Sequence, residues 1–97
     1  MSAYIILDVE IRDQDLYREY VEATRRPGVG SESRGRALVR GGEIESLEGD
    51  WRPQRLLVLE FPDAEAARDW YFSPAYQEAK KIRDRAADSR AVLVHGT

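Results

Sequence analysis

The sequence contains no cysteine, so disulfide bonds, thiolate metal sites and cysteine nucleophiles are all excluded. Its single histidine, His95, lies two residues from the end of the 97-residue chain. A histidine-based zinc site needs more than one such ligand, and a catalytic triad or a histidine-ligated haem would depend on this terminal side chain. A solvent-facing terminal histidine is the simpler interpretation. We therefore expect no metal and no cofactor.

Long apolar runs and basic runs are also missing. No apolar stretch approaches the roughly 18 residues of a membrane span, and no basic run exceeds two residues in a chain of net charge −3. These absences predict no membrane contact and no nucleic-acid-binding surface. The chain starts directly in a strand pattern, without the basic segment and apolar run of a signal peptide, so we expect a cytoplasmic location.

The length and composition suit one folded domain, which we place at residues 1–97. Thirteen arginines stand against two lysines, a bias that would suit carboxylate or phosphate ligands. The arginines alternate with acidic residues instead of clustering, however. Arginine content by itself therefore predicts no binding surface.

Hydrophobic alternation and capping signals predict elements in the order β-α-β-β-α-β. The predicted strands are Tyr4–Ile11, Arg36–Arg40, Arg55–Phe61 and Arg90–His95; the predicted helices run from the Asp13 cap to about Arg25 and from the Asp63 cap to Ala87, with a kinked restart at Ser73-Pro74. After a bulge or bend at Gly41-Gly42, the alternation of Glu43–Glu48 could continue the second strand as a protruding arm. The polar, glycine-rich stretch Gly28–Gly35 is either a loop or a poor helix.

This order predicts an α+β, ferredoxin-like domain in which a four-stranded antiparallel sheet carries both helices on one face. The other face would be bare. Its apolar occupants would be Tyr4, Ile6, Leu38, Leu56 and Val58. Such a patch is too apolar to leave in water, and a second copy of the chain is the simplest cover for it. We therefore expect a homodimer packed sheet against sheet.

Several motifs resemble the family of domain of unknown function 1330, within the dimeric α/β-barrel superfamily. They are Leu38-Val39-Arg40-Gly41-Gly42, Leu47-Glu48-Gly49-Asp50-Trp51-Arg52-Pro53, Glu60-Phe61-Pro62, Ala67, Trp70-Tyr71 and Ser73-Pro74-Ala75-Tyr76-Gln77. The resemblance runs almost end to end, with a more polar departure at Val29–Arg36. It implies a ferredoxin-like protomer and a dimeric α/β barrel, but no reaction.

The same superfamily contains cofactor-independent monooxygenases and haem-degrading enzymes. These enzymes use an asparagine, a tryptophan and often a histidine around one pocket. This chain has no asparagine, and its one histidine is terminal. The lack of these residues therefore argues against both mechanisms.

A set of charged residues is the first candidate site. Strand alternation places Asp8, Glu10, Arg40 and Glu60 on the sheet face opposite the helices. They could share protons across the sheet or the dimer seam, or form an ion-pair network that fixes the dimer register. The structural interpretation is the more economical one.

A set of aromatic residues is the second candidate site. Tyr17, Tyr20, Trp70, Tyr71 and Tyr76 fall on or beside inward helix faces, and Trp51 precedes the third strand. Aromatics at helical spacing are usually core, yet together with the inward-pointing Arg83 they could hold a small organic acid. A buried Arg83 needs an acceptor: a backbone carbonyl, another protomer's carboxylate or an anionic ligand.

The candidate ligand-binding residues are therefore Tyr17, Arg40, Trp51, Glu60, Trp70, Tyr76 and Arg83, and no catalytic residue is assigned. The main hypothesis is a homodimer that binds a small organic molecule, anionic ones included, between sheet and helices. One alternative is a non-catalytic structural dimer with a filled core. Another is a cofactor-free enzyme that transfers a proton on a small carbonyl compound and uses Glu60 or Asp8 as the carboxylate.

Overall fold

Seven helices and strands follow one another in a computed structural model that describes residues 1–26, 29 and 34–97. They are β1 (Ala3–Ile11), α1 (Gln14–Thr24), β2 (Arg36–Arg40), β3 (Arg55–Phe61), α2 (Ala64–Tyr71), α3 (Pro74–Ala86) and β4 (Ala87–His95). Most of the predicted loop or poor helix at Gly28–Gly35 lies outside the described residues.

Short polar side chains begin all three helices, as predicted. The carboxylates of Asp13 and Asp63 accept hydrogen bonds from the backbone N–H groups of Leu16 and Ala66. The Ser73 hydroxyl accepts from the N–H of Tyr76 at the start of α3. Each cap satisfies a backbone donor that the first helical turn cannot pair internally, which fixes where the helix starts.

The four strands form one antiparallel sheet in the order β2-β3-β1-β4. Together with the three helices this is the α+β, ferredoxin-like arrangement that the sequence predicts. The two middle strands, β1 and β3, carry most of the apolar side chains, because they have neighbours on both edges. No helix in the described part of the chain is long and apolar enough to cross a membrane.

The two faces of the sheet differ sharply in burial. Ile5, Leu7 and Val9 of β1 point into the core under the helices, while the alternate residues point to the open face. Four aliphatic residues among those described are exposed on or beside that open face: Leu38, Val39, Val92 and Val94. The bare apolar face is therefore present, and it extends onto β4 beyond the predicted patch.

The last strand starts earlier than predicted. Helix α3 ends at Ala86, and β4 begins at Ala87 instead of Arg90. Ala87 already pairs with Ile11 of β1, and the backbone N–H groups of Arg12 and Asp13 both donate to the Ala86 carbonyl. The chain therefore passes from helix to strand without a loop, and no turn residue marks the boundary.

The predicted strand extension at Glu43–Glu48 is wrong, because these residues form no strand. Gly41 and Gly42 both adopt positive φ, 80° and 101°, which is the predicted bend. This bend takes the chain away from the sheet edge, so the alternating residues have no surface to pack on. Leu47 is consequently 95% exposed.

Candidate functional site

A buried cluster of phenol and guanidinium groups lies between α1 and α3. The Tyr20 and Tyr76 hydroxyl oxygens are 2.9 Å apart, and Nη1 of Arg83 donates to the Tyr76 hydroxyl at 2.7 Å. Tyr76 is fully buried and Arg83 is 2% exposed. We call Tyr20, Tyr71, Tyr76 and Arg83 the tyrosine–arginine cluster; Tyr71 joins it through its ring, whose centre lies 5.4 Å from that of Tyr76.

Arg83 carries a buried positive charge that no carboxylate of the described residues neutralises by an ion pair. Its guanidinium carbon lies 5.8 Å from the centre of the Tyr20 ring, a cation–π distance. Its Nε is buried and has no hydrogen-bond partner among the described residues. The acceptor that Arg83 does find is the Tyr76 hydroxyl, which is none of the three that the sequence suggested.

Burial is the largest single influence on the pKa of both Tyr76 and Arg83. It raises the pKa of Tyr76 far above the ordinary phenol value; Tyr20 adds to the rise and Arg83 opposes it. Burial lowers the pKa of Arg83, but Tyr76 and Tyr20 reverse this effect and leave the pKa raised. Near neutral pH the cluster therefore holds a neutral phenol at Tyr76 beside a charged guanidinium.

Tyr17 and Trp70 extend this packed interior on either side. Burial raises the pKa of Tyr17, and Arg55 opposes the rise from a position 5.7 Å from the ring centre. The Trp70 ring lies 4.1 Å from that of Tyr76, and its indole N–H donates to the Val29 carbonyl at 2.6 Å. Both residues are held by contacts within the chain, as core residues are.

An open apolar cleft of about 220 Å³ lies beside this interior, between α2 and the β1–β4 edge of the sheet. Its lining residues are Ile5, Ala67, Arg68, Tyr71, Phe72, Ala91, Val92 and Leu93. Two of these lining residues, Ala67 on α2 and Ala91 on β4, have small side chains, and larger ones at these positions would occupy the space. Tyr71 belongs to both the cleft wall and the tyrosine–arginine cluster.

The charged candidates lie elsewhere, on the open face of the sheet. Glu60 pairs with Arg36 at 2.8 Å. Asp8 accepts from Arg90 at 2.9 Å and from the indole N–H of Trp51 at 3.1 Å. Asp8 and Glu60 thus each have an arginine partner, in two separate ion pairs on the open face.

The prediction that Arg40 lies on the open face of the sheet is wrong. A bulge between Ala37 and Val39 shifts the β2 register by one residue and pairs Arg40 with Leu57, whose side chain packs against the core. One inserted residue moves every later side chain to the opposite face. Arg40 therefore lies on the helix side of the sheet, at its β2 edge, where it is exposed.

A second, polar hollow of about 400 Å³ surrounds the Asp8–Trp51 contact. Its lining residues are Asp8, Glu10, Asp50, Trp51, Arg52, Pro53, Gln54 and Arg90. The part of the chain that the structure describes contains no group of three or more side chains placed to hold a metal ion. The hollow is a solvated, charged surface next to the bare apolar patch.

The structure brings together four of the candidate residues, Tyr17, Trp70, Tyr76 and Arg83, in a filled interior. It separates them from Trp51 and Glu60 on the open face and from Arg40 at the sheet edge. Sequence reasoning missed the cleft itself. Of its lining residues, only Tyr71 belongs to a candidate site predicted from the sequence, the aromatic set. Small residues opposite each other on a helix and a strand are the signal that could have indicated it.

A family model described as a domain of unknown function (DUF1330) matches residues 2–97. No curated protein matches the chain in sequence. Among solved structures, a protein of unknown function from Rhodopseudomonas palustris is 22% identical, and the match covers 99% of this chain and 82% of that one with a TM-score of 0.75.

Two further solved structures resemble the chain at lower identity. A dimeric ferredoxin-like protein of unknown function from Thermobifida fusca is 15% identical over 99% of this chain and 92% of that one, with a TM-score of 0.66. SnoaB, a cofactor-independent oxygenase from Streptomyces nogalater, is 13% identical over 99% and 93%, with a TM-score of 0.58. At these identities the likenesses establish the fold alone.

Proposed function

Because the chain belongs to the DUF1330 family, whose description assigns no activity, we propose a function from its own geometry: a homodimer that binds a small organic molecule in the apolar cleft beneath α2. The observation that carries the ligand proposal is the cleft itself, an open space of about 220 Å³ between sheet and helix. Concave apolar sites with few polar groups are typical of ligand binding.

The size of the cleft limits the ligand. An apolar cavity of about 150 Å³ in another protein accommodates benzene. At about 220 Å³, this cleft suits one ring or a short branched chain with a few further atoms. Arg68 lines the cleft and is exposed, so it adds positive charge at the rim without filling the space.

Of the seven candidate ligand-binding residues predicted from the sequence, Tyr17, Trp70, Tyr76 and Arg83 come together in the interior. Those side chains pack against one another, which favours the filled-core interpretation for that region. The proton-transfer hypothesis needs a carboxylate beside the ligand. None of the described residues that line the cleft is acidic, and Asp8 and Glu60 lie on the other sheet face. A binding role therefore accounts for the cleft better than proton transfer does.

The oxygenase SnoaB shares the fold at 13% identity. This chain contains no asparagine and only a terminal histidine. Its cleft is lined almost entirely by hydrocarbon side chains. These features favour a binding protein over an oxygenase.

Filling the cleft tests the ligand proposal. Ala91→Leu places a larger side chain in the cleft wall, so toluene, titrated by NMR, should shift amide signals of α2 and β4 in the wild type but not in this variant. Ala64→Leu adds the same atoms to α2 outside the cleft and should bind toluene like the wild type. Equal binding by all three proteins, or no binding to the wild type, would overturn the proposed site.

The homodimer proposal is supported by the exposed apolar side chains of the open sheet face and by a structural relative described as dimeric. Light scattering should give roughly twice the 11.1 kDa chain mass. Val58→Asp buries a charge in the centre of that face and should yield a folded monomer, because an unpaired buried charge costs several kcal/mol. Arg18→Asp places the same residue on the exposed side of α1 and should leave the dimer intact. A wild-type monomer would rule the dimer out.

A further inference from the structure

The connection between β2 and β3, residues 41–54, contains neither helix nor strand and is fastened to the sheet at both ends. At its start, the backbone N–H of Gly41 donates to a carbonyl of β3 at 2.8 Å; at its end, Oε1 of Gln54 accepts from a backbone N–H of β1 at 2.7 Å. Between these points, Leu47 is 95% exposed. We call residues 41–54 the arm, and its exposed middle part extends from a fixed base.

The second half of the arm lies over the open face of the sheet. The indole N–H of Trp51 donates at 3.1 Å to the carboxylate of Asp8, a β1 residue on that face. Residues 50–54 line the polar hollow, and its remaining lining residues are Asp8, Glu10 and Arg90. The arm therefore borders the face that carries the exposed aliphatic residues of the proposed dimer interface. A second copy that covers that face must meet the arm as well.

The arm offers a partner a preformed apolar surface. Leu47 is almost fully exposed and Trp51 is 58% exposed. Covering such side chains is favourable by about 25 cal/mol for each Å² of apolar surface removed from water. Because hydrogen bonds hold Trp51 and both ends of the arm, a partner gains this contact without ordering a free segment.

The charge of the arm suits the open face of a second copy. Residues 43–50 contain no basic side chain and four carboxylates: Glu43, Glu45, Glu48 and Asp50. None of these four forms an ion pair with a described residue. On the open face, the side chains of Arg36 and Arg90 are 74% and 81% exposed. Each has one carboxylate partner in its own chain, and a guanidinium group has further donors for a second. The acidic arm and these arginines are therefore complementary.

We propose that the arm of each subunit packs against the open sheet face of a second copy of the chain, with Leu47 and Trp51 in the contact. This inference rests on the homodimer of the proposed function and assigns the arm to its interface. In a two-fold dimer the contact occurs twice, because each subunit both extends an arm and receives one. The alternating residues 43–48, which have no surface to pack on in their own chain, then find that surface on the partner.

The lack of native cysteine makes this contact measurable by thiol protection. Leu47→Cys introduces one thiol, and mass spectrometry follows its alkylation by iodoacetamide at a concentration where light scattering shows the dimer. Alkylation should be at least about ten-fold slower than in the double variant Leu47→Cys/Val58→Asp, which should be monomeric, because the reagent needs an accessible thiolate. Arg18→Cys, on the exposed side of α1, should react equally fast with and without Val58→Asp. If Val58→Asp does not fold, the rates of Leu47→Cys and Arg18→Cys in the dimer, each divided by its rate in urea, are compared instead.

Truncation of the same side chain gives an independent readout. Leu47 is too exposed to stabilise its own subunit, so Leu47→Ala acts on the dimer alone. It should raise the dissociation constant of the dimer at least about ten-fold, since the contact is lost twice. Phe72→Ala removes an exposed ring from the cleft beneath α2 and should change the constant less than about two-fold. Sedimentation velocity over a dilution series measures the constant; for a dimer too tight to dissociate on dilution, the rate of subunit exchange replaces it.

The outcomes distinguish the inference from the homodimer on which it rests. Protection of the Leu47→Cys thiol in the dimer, together with a weaker dimer in Leu47→Ala, supports the inference. A dimer in which this thiol reacts as fast as in the monomer overturns it and leaves the homodimer standing without the arm. An unchanged dimer in Leu47→Ala also overturns it. If the wild type is a monomer, the proposed homodimer itself fails.

Discussion

Two regions on the helix-covered side of the sheet differ in how completely side chains fill them. Between α1 and α3, large aromatic rings and the Arg83 side chain fill the interior, and Tyr76 is completely buried. Beneath α2, the alanines at 67 and 91 leave an open cleft between the helix and the sheet. The two regions therefore differ in the volume of the side chains that line them.

The comparison shows where this fold can accommodate a ligand. A filled interior gains dispersion contacts and hydrogen bonds but has no space for another molecule. The cleft forgoes those contacts and leaves apolar surface that a ligand can cover. Tyr71 stands at the boundary between the two regions, because it lines the cleft and its ring also packs against that of Tyr76.

Of the variants in the two regions, Tyr76→Ala should lower the free energy of unfolding most. Tyr76→Ala removes a buried ring and leaves Nη1 of Arg83 without its acceptor. We expect a loss of about 3–5 kcal/mol in the free energy of unfolding, the range for buried aromatic residues. Urea denaturation monitored by circular dichroism measures it.

Phe72→Ala is the matched control for that variant, since Phe72 lines the cleft and is 68% exposed. It should change the free energy of unfolding by less than about 0.5 kcal/mol. Similar losses in the free energy of unfolding for Tyr76→Ala and Phe72→Ala would mean that the cleft is packed as tightly as the interior. The two regions would then not differ in packing.

The features predicted correctly from sequence are those with local signals. The caps at Asp13, Asp63 and Ser73 define helix starts through bonds to residues three positions away. The alternation in β1 gives the buried face directly. From these, the element order and the ferredoxin-like arrangement follow by general rules of connection.

The features that were missed depend on single residues or on distant packing. The face of Arg40 was predicted wrongly because a bulge one residue long has no clear signature in Ala37-Leu38-Val39. The start of β4 was placed too late because the chain leaves α3 without a turn. Neither error alters the element order, but the first removes a residue from the predicted site.

The candidate site was predicted only in part, for a physical reason. The aromatic set with Arg83 is indeed assembled, because residues two turns apart on α3 share a face. Whether such a set encloses a space or fills it depends on the volumes of all its neighbours, which periodicity does not encode. The acceptor for Arg83 is the Tyr76 hydroxyl. The seven-residue spacing between Tyr76 and Arg83 on α3 could have indicated this hydrogen bond.

Alkaline pH should lower the free energy of unfolding through the buried tyrosines, by less than the Tyr76→Ala substitution does. Burial raises the pKa of Tyr76 in the folded protein, so above the ordinary phenol value of about 10 the unfolded chain loses a proton that the folded chain keeps. Stability that is fully present below pH 10 is then lost as the pH rises, by up to about 1.4 kcal/mol per pH unit for each such group. Tyr17, whose pKa is also raised, adds in the same direction. Urea denaturation at pH 9 and pH 11 should therefore show a smaller decrease in Tyr76→Phe than in the wild type, whatever the two proteins' stabilities at pH 7. An unchanged decrease would show that the alkaline sensitivity does not come from Tyr76.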